Sequence, residues 1–485
     1  MSPHHDAWHD DRIKEECGVV AVYTAGRPAA PSAFYSLFAL QHRGQESAGI
    51  ASVDENGRIL NTTGMGLVTQ IFTEAELGAH TGDLSIGHTR YSTAGGSTSC
   101  NAQPIVRQTV RGDMAVGHNG NLVNADELRH RLLMNGYVPR GDADSELITL
   151  LLAIELEQHD PFEAVRRTME QLVGAYSIVV LLRDAILGFR DPNGVRPLQV
   201  GRIFEHDWLI ASESCAFSPL VGKVEFEVEP GECVMITRDG QMERRQLVPK
   251  AKEALCLFEF IYFARPDSVM YGRSLYVARQ AMGRALAEEH PCPEADIVVP
   301  VPDSGIPAAL GFAERSGKPF VEGMVKSRYI HRTFIQPDQQ MREAGVRMKL
   351  NPIEEHIRGK SLVLVDDSIV RGTTTGKIVR MLKEAGAREV HVRITAPPIM
   401  WPCFYGIDMA HRSKLIAANH TTAEICSQIE ADSLGYLSLP GALRAVDVPG
   451  DRFCHACFSG KYPIRIPPQI EREKSVIEQP PLPLG

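Results

Sequence analysis

The stretch LVLVDDSIVRGTTT, residues 362–375, constrains the fold more than any other part of this chain. Its four leading residues are apolar without polar alternation, the pattern of a strand buried on both faces in a helix-covered parallel sheet. The run ends in two adjacent carboxylates, Asp366 and Asp367, followed by a loop with Ser368, Arg371, Gly372 and the threonines from Thr373. In open α/β sheets, ligands bind beyond the carboxyl ends of strands, which is where the acidic pair falls. Residues 376–385 carry Ile378, Val379, Met381 and Leu382 at helical spacing, with Gly386 as a stop. Loop amides and hydroxyls at a helix N-terminus make an anion site, and Gly372 admits close approach of the backbone. Two carboxylates beside such a cradle suit a ligand with a phosphate and hydroxyls, or a phosphate-bound Mg²⁺. The plainer alternative is a strand end with two solvated acids and a threonine-rich turn. The ordered succession of strand, acid pair, Gly/Thr loop and helix argues against it.

This run closely resembles the phosphoribosyl pyrophosphate signature of the type I phosphoribosyltransferases. The resemblance implies that Asp366 and Asp367 hold ribose hydroxyls and that the loop holds a 5′-phosphate. From about residue 251 the pattern alternates: a helix over 276–290 and strands over 297–301, 362–365 and 390–395. Such alternation indicates a parallel sheet with crossovers. Between Lys326 and Asn351 there is little periodicity but much basic charge, from Lys326, Arg328, Arg332, Arg342, Arg347 and Lys349. Long loops of this kind serve as lids or lie solvated on the surface. Beside a phosphate site, a basic lid would close over a pyrophosphate and exclude water.

A chain of 485 residues can hold two or three domains, each with its own core. Its formal charge of −9 argues against nucleic acid or an anionic membrane as the main partner. The longest apolar run, near residues 178–182, is broken by Arg183 and falls far short of a membrane span. The leader MSPHHDAWHDDRIKEE is charged and has no apolar core, so it does not read as a signal peptide. Ten cysteines without regular spacing fit a reducing cytosol, so a cytoplasmic location is expected.

Residues 17–240 are rich in short β-like runs, at 18–23, 85–88, 114–118, 175–182 and 208–212. Two helical stretches interrupt them. One opens on Asn124 and Glu127, which read as a capping pair, and the other spaces Leu147, Leu150, Leu151 and Ile154 helically. An α+β sandwich is the expected result. Cys17 stands where a polar leader meets a strand, a place where a lone cysteine usually belongs to the core. The segments QHRGQESAGI, GHTRYSTAG, GHNGNLVN and GDADSE reverse that judgement. Together they resemble the N-terminal-nucleophile glutaminase domain of the class II amidotransferases, an αββα sandwich, over most of residues 17–240. Such a domain needs its cysteine as residue one, because a terminal α-amine of pKa roughly 7.7–8.0 can act as the base. Residues 1–16 would then be a propeptide cleaved after Glu16. The resemblance further implies Cys17 as nucleophile, with Asn119 and the backbone N–H of Gly120 as oxyanion hole. It also implies Arg90 on the glutamine α-carboxylate and Asp144 on its α-ammonium.

The second half decides the overall reaction. FEFIYFARPDS, VPVPDSG, KSRYIHRTFI and the Asp-Asp signature resemble the glutamine phosphoribosylpyrophosphate amidotransferases, over nearly the whole mature chain. That family makes 5-phosphoribosylamine, with glutamate and pyrophosphate, as the committed step of purine synthesis. The resemblance implies that ammonia released at Cys17 travels internally to carbon 1 of the ribose. Ser304, Asp366 and Asp367 would bind the Mg²⁺–substrate complex. Ser368, Arg371, Gly372 and Thr373 would hold the 5′-phosphate, and Lys326 with the basic lid the pyrophosphate. Tyr262, Arg265 and Asp267 are candidates for linking the two sites. Purine nucleotide feedback and a homotetramer are implied too. The expected domains are 17–240 and 251–460, followed by a partly disordered tail over 461–485.

Cys454-His-Ala-Cys457 is a CxxC pair, and by itself leaves zinc, redox and chance readings open. Cys256 and Cys403 occupy the places where one branch of the family supplies two further ligands to a 4Fe–4S cluster. Four thiolates suit such a cluster or zinc. A cluster here would be structural, since nothing in the expected chemistry is redox. Cys100, Cys215, Cys233, Cys292 and Cys426 receive no role. Two other readings compete. Another class II amidotransferase would need a sugar-isomerase half, against which the Asp-Asp signature argues. A regulatory protein that binds phosphoribosyl pyrophosphate would have no use for Cys17 with Arg90, Asn119 and Asp144.

Overall fold

The computed structural model describes residues 17–91, 98–327, 350–409, 411–468 and 470. Strand Gly18–Tyr23 begins directly after Cys17 and lies fourth in a seven-stranded sheet. The order is Lys223–Glu227, Gln199–Ile203, Asp207–Ala211, Gly18–Tyr23, Leu84–Arg90, Ser47–Val53 and Ile59–Met65. A six-stranded sheet packs on it in the order Met242–Gln246, Glu232–Thr237, Ala185–Arg190, Gly174–Leu181, Gly112–Leu122 and Ile105–Thr109. Side chains of a strand alternate between faces, so Gly18–Tyr23 serves two cores at once. Val19, Ala21 and Tyr23 meet Ala115, Val179 and Ile186 between the sheets. Val20 and Val22 meet Ala33 and Leu37 of helix Ala30–Ala39. On the far side, helices Asp144–Leu156 and Pro161–Met169 cover Met114, Val116 and Ile178 through Leu147, Leu151 and Val165. The layers are therefore helix, sheet, sheet, helix. Each large apolar side chain buried this way contributes about 1.5–3 kcal/mol, and a one-residue slip would send all of them to the wrong face.

The expected capping pair of Asn124 and Glu127 does not form. The Asn124 side chain instead accepts from Val173 N at 3.0 Å and donates to Gln171 O at 3.0 Å, tying its turn to a neighbouring loop. Those backbone groups compete successfully for a side chain that would otherwise cap the helix.

The second half is built on a parallel sheet in the order Ile297–Pro300, Ser361–Asp366, Glu389–Ile394 and Ser433–Tyr436. All six residues of Ser361–Asp366 are buried. Helix Thr373–Glu384 starts three residues earlier than the apolar spacing suggested, because Gly372 at φ +83° turns the chain straight into it. Helix Leu275–Glu289 packs beside helix Ile306–Ser316. The halves are joined along residues 251–256: Ala251 N donates to Pro192 O and Ala254 N to Asn193 O, both at 2.9 Å. Just beyond residue 460 the chain still packs, with Tyr405 Oη donating to Ile464 O at 2.6 Å, while residues 471–485 of the expected tail lie outside the described residues. The expected basic lid, with Arg328, Arg332, Arg342, Arg347 and Lys349, lies outside the described residues apart from Lys326. Among the described residues, no helix is long and apolar enough to cross a membrane.

Candidate active sites

Cys17 is buried, with its thiol directed to Tyr91 O at 3.5 Å. Burial pushes that thiol up to about 11; the Tyr91 carbonyl and the Arg90 charge act the other way without offsetting it. A small cavity in front of Cys17 is lined by Arg90, Gln103, His118, Gly120, Asp144 and Ser145 among others. Four sequence-derived residues therefore surround one space. Asn119 lies between His118 and Gly120 in strand Gly112–Leu122, and its buried Nδ2 has no hydrogen-bond partner among the described residues. A buried amide left unpaired is costly, so such a donor suits a ligand oxygen. Gly120 has φ +145°, and a Cβ there would lie 2.0 Å from Ala175 O, so no other residue fits. Arg90 Nη1 lies 3.3 Å from Glu46 Oε1, and Asp144 Oδ2 accepts from Leu122 N at 2.9 Å. His118 received no role from the sequence, although it lies in GHNGNLVN. Its Nδ1 is 3.1 Å from Ser145 Oγ and 3.7 Å from Asp144 Oδ1, and burial pushes the imidazole pKa down.

The second site forms where two parallel strands end side by side. Val301 N donates to Val365 O at 2.9 Å, so the loop carrying Ser304 emerges next to the acidic pair. Asp366 and Asp367 are both buried. Asp366 Oδ1 accepts from Asp367 N at 2.9 Å, and Asp367 Oδ1 from Ser368 Oγ at 2.5 Å. Ser304 Oγ is buried and has no hydrogen-bond partner among the described residues. Lys326 reaches the same loop, with Nζ 2.9 Å from Asp303 Oδ2. Half-buried Arg371 and left-handed Gly372 lead into Thr373 at the head of the twelve-residue helix. The signature residues thus share one edge, with a helix N-terminus behind them.

A glutamine amidotransferase domain matches residues 88–219, and a phosphoribosyl transferase domain matches residues 280–396. An amidophosphoribosyltransferase of Archaeoglobus fulgidus is 50% identical over 93% of this chain and 98% of its own. The chain belongs to the amidophosphoribosyltransferase family. An amidophosphoribosyltransferase of Synechocystis sp. is 48% identical over 97% of this chain and 95% of its own. The structure of glutamine phosphoribosylpyrophosphate amidotransferase from B. subtilis, complexed with ADP and GMP, superposes with a TM-score of 0.87 at 41% identity. That match covers 93% of this chain and 98% of the B. subtilis chain.

Four cysteines of this amidophosphoribosyltransferase family member come together from distant segments. Strand Leu255–Cys256 pairs with Phe453–Cys454, setting Cys256 opposite Cys454. Cys457 follows in the short helix Ala456–Ser459, and its thiol lies in the electrostatic reach of Cys256, Cys454 and Cys403. Cys403 Sγ accepts from Tyr405 N at 3.3 Å. Burial pushes Cys256 and Cys454 up to about 12, so the free thiols would stay protonated at neutral pH. Buried cysteines gathered in this way are compatible with metal binding. Among the described residues, the sets of three metal-binding atoms within 4.8 Å of one another are His42, Glu213 and Cys215, and Cys292, Glu294 and His391. No three of the four gathered sulfurs form such a set.

At the junction between the sites, sequence reasoning missed Arg43, Glu213 and Glu259. Arg43 Nε donates to the Cys17 carbonyl at 3.1 Å. Its guanidinium grips Glu259 through Nη2 at 2.6 Å and Nη1 at 3.1 Å, and Nη1 also bonds Glu213. All three side chains are buried. Burial alone would raise Glu213, but His42 and Arg43 more than offset it and hold the carboxyl below its usual range. Glu213 further accepts from Arg265 N at 2.9 Å and Ser268 Oγ at 2.7 Å. Of the candidates for linking the sites, Arg265 spans the halves and also donates to Ala39 O at 3.2 Å. Asp267 pairs with Arg265, and Tyr262 packs edge-on against Phe258 and Phe263. Arg43 and Glu259 both lie in motifs that carried the family resemblance, which was the signal available for them.

Proposed function

We propose that the two sites divide the family reaction between them, with Cys17 as nucleophile on glutamine and the Asp366–Asp367 edge as the phosphoribosyl site. The reaction is glutamine-dependent amination of phosphoribosyl pyrophosphate in purine biosynthesis. The gathering of Cys17, Arg90, Gly120 and Asp144 around one small cavity carries the assignment of the first site; Asn119, whose buried Nδ2 is unpartnered among the described residues, is the strand neighbour of Gly120.

After removal of residues 1–16, the α-amine of Cys17 takes the thiol proton and the sulfur attacks the side-chain amide carbon of glutamine. Asn119 Nδ2 and the Gly120 N–H stabilise the tetrahedral oxyanion. Arg90 holds the α-carboxylate and Asp144 the α-ammonium, which fixes the amide over the sulfur. The α-ammonium returns the proton to the departing nitrogen as the C–N bond breaks, ammonia leaves, and water releases glutamate from the thioester. The ammonia passes inside the protein, because in water it would be protonated and no longer a nucleophile. It bonds to carbon 1 of the ribose as pyrophosphate departs, giving 5-phosphoribosylamine. Asp366 and Asp367 hold the ribose hydroxyls, residues 368–373 the 5′-phosphate, and Lys326 the pyrophosphate. Ser304 Oγ, unpartnered among the described residues, and the two carboxylates form a hard oxygen donor set that fits Mg²⁺, which when bound would offset charge on the leaving pyrophosphate.

Cys256, Cys403, Cys454 and Cys457 would hold a 4Fe–4S cluster. Its role would be to staple residues 453–466 to the rest of the chain, since Cys256 and Cys454 lie opposite each other on paired strands from distant segments. Equal iron and sulfide in anaerobically purified protein is expected; zinc alone would contradict this. Purine nucleotides are proposed as effectors, as the B. subtilis relative was solved with ADP and GMP, and we place the enzyme in the cytosol as a homotetramer.

The test is release of pyrophosphate from phosphoribosyl pyrophosphate with glutamine and Mg²⁺, on protein whose N-terminus is known by mass spectrometry. Activity from chains that begin at Cys17 is expected. Full activity from chains that still begin at Met1 would refute the nucleophile.

A further inference from the structure

Cys292 has no part in the chemistry above, yet three metal-ligating side chains converge on it at the far edge of the parallel sheet. Its sulfur, a carboxylate oxygen of Glu294 and a ring nitrogen of His391 all lie within 4.8 Å of one another. The backbone sets each of them there. Cys292 and Glu294 belong to the short loop between helix Leu275–Glu289 and strand Ile297–Pro300. Asp296 N donates to Ser361 O at 2.7 Å and Ser361 N to Asp296 Oδ2 at 2.9 Å, which locks that loop to the neighbouring strand. His391 is the third residue of Glu389–Ile394, the next strand along. Ser361 opens the strand that Asp366 closes, and five steps of about 3.3 Å put this edge about 17 Å from the acidic pair.

The donors are arranged for a cation. Cys292 and His391 are buried and Glu294 is exposed, so the cluster has a fixed floor and one open side. His391 Nδ1 lies 3.7 Å from Glu294 Oε1, close to the roughly 3.4 Å between two light donors on one tetrahedral zinc. His391 Nε2 is 3.1 Å from Ser361 Oγ, an outer partner of the kind that fixes a ligating imidazole. Donation of Nε2–H to that hydroxyl leaves the Nδ1 lone pair on the side of Glu294. The Cys292 thiol hydrogen-bonds the Glu294 carboxylate, and its proton is the one a divalent cation would displace. Arg393 stands nearby but spends its guanidinium on His290 O, Val392 O and Ser433 Oγ, at 2.9, 2.9 and 3.0 Å. The similar group of His42, Glu213 and Cys215 lacks this freedom, because the Arg43 guanidinium already holds its carboxylate.

Independently of the two-site assignment, we infer that Cys292, Glu294 and His391 form a binding site for Zn²⁺. One thiolate, one imidazole and one carboxylate make a mixed donor set that suits zinc and not Mg²⁺ or Ca²⁺. On binding, the Cys292 S–H bond breaks, an S–Zn bond forms and the proton passes to solvent. The thiolate and the carboxylate neutralise the ion, and water completes the fourth position. The filled site ties the loop after Leu275–Glu289 to strand Glu389–Ile394, at the edge opposite Asp366 and Asp367.

The test is calorimetric titration of the purified full chain with Zn²⁺, with metal analysis after gel filtration. Metal held by Cys256, Cys403, Cys454 and Cys457 is common to all variants and drops out of the comparison. Cys292→Ala and His391→Ala should each retain one zinc fewer per chain than the unaltered protein. Glu294 is exposed, so Glu294→Gln should fold normally and bind about 10-fold or more weakly; Ser361→Ala should weaken binding about 10- to 100-fold. With Co²⁺ in place of Zn²⁺, the thiolate-to-cobalt band should fall in Cys292→Ala and persist in Ser361→Ala at saturation. Equal zinc content and affinity in the unaltered chain, Cys292→Ala and Glu294→Gln would overturn the site. So would an unaltered chain that takes up no Zn²⁺.

Discussion

The proposed glutamine site and the proposed phosphoribosyl site are built on opposite plans. The first is set into an antiparallel sandwich: Cys17 is buried, Gly120 is fixed by a Cβ-excluding contact with Ala175 O, and the cavity is small. The second sits at the open edge of a parallel sheet, where loops after adjacent strands bring Ser304, Asp366 and Asp367 together. A sandwich position fixes geometry before substrate arrives, as a nucleophile and its oxyanion hole require. An open edge leaves space for a large charged ligand whose phosphates are held by loop and helix amides. Each plan fits one half-reaction, and the two meet through Arg43, Glu213 and Glu259.

The division can be broken from either side. Replacing Asp366 and Asp367 by Asn should have the broadest effect, lowering synthesis from glutamine and from ammonia by on the order of 10²–10³-fold or more. Measuring both rates in the double variant checks this, and unchanged rates would remove the second site from the account. Asn119→Ala should be narrower. Loss of one oxyanion donor costs about 10²–10³ in kcat, and here only the glutamine reaction should suffer. Steady-state kinetics with the two nitrogen sources would separate the cases; an equal fall with ammonia would count against the assignment. The smallest effect concerns the thiol. With the leader attached, Cys17 titrates near 11, so alkylation should rise with pH throughout the neutral and mildly alkaline range. The sign follows from the thiolate being the nucleophile, which burial disfavours until the pH reaches that value. Once the leader is gone, an α-amine of pKa roughly 7.7–8.0 can take the proton, and reactivity should set in near there. Mass-resolved alkylation of Cys17 in the two forms measures the difference.

The extent to which this was legible in the sequence follows the range of the interactions. Strand Gly18–Tyr23 was read at its true limits, and Ser361–Asp366 within one residue, because local apolar runs dictate burial. The acidic pair and Gly/Thr loop were legible for the same reason, since strand, loop and helix N-terminus are contiguous. Asn124 misled because its competitors, Gln171 and Val173, are distant in the chain. The Arg43–Glu259 grip bridges a separation of 216 residues, and only the packing of one half on the other creates it.

The most direct test of two separable sites in one chain is the Cys17→Ala variant, assayed for pyrophosphate release from phosphoribosyl pyrophosphate with glutamine and then with ammonia. The account requires loss of the glutamine-dependent rate and retention of the ammonia-dependent rate at near its unaltered value. Loss of both in a folded variant, or survival of the glutamine-dependent rate, would contradict it.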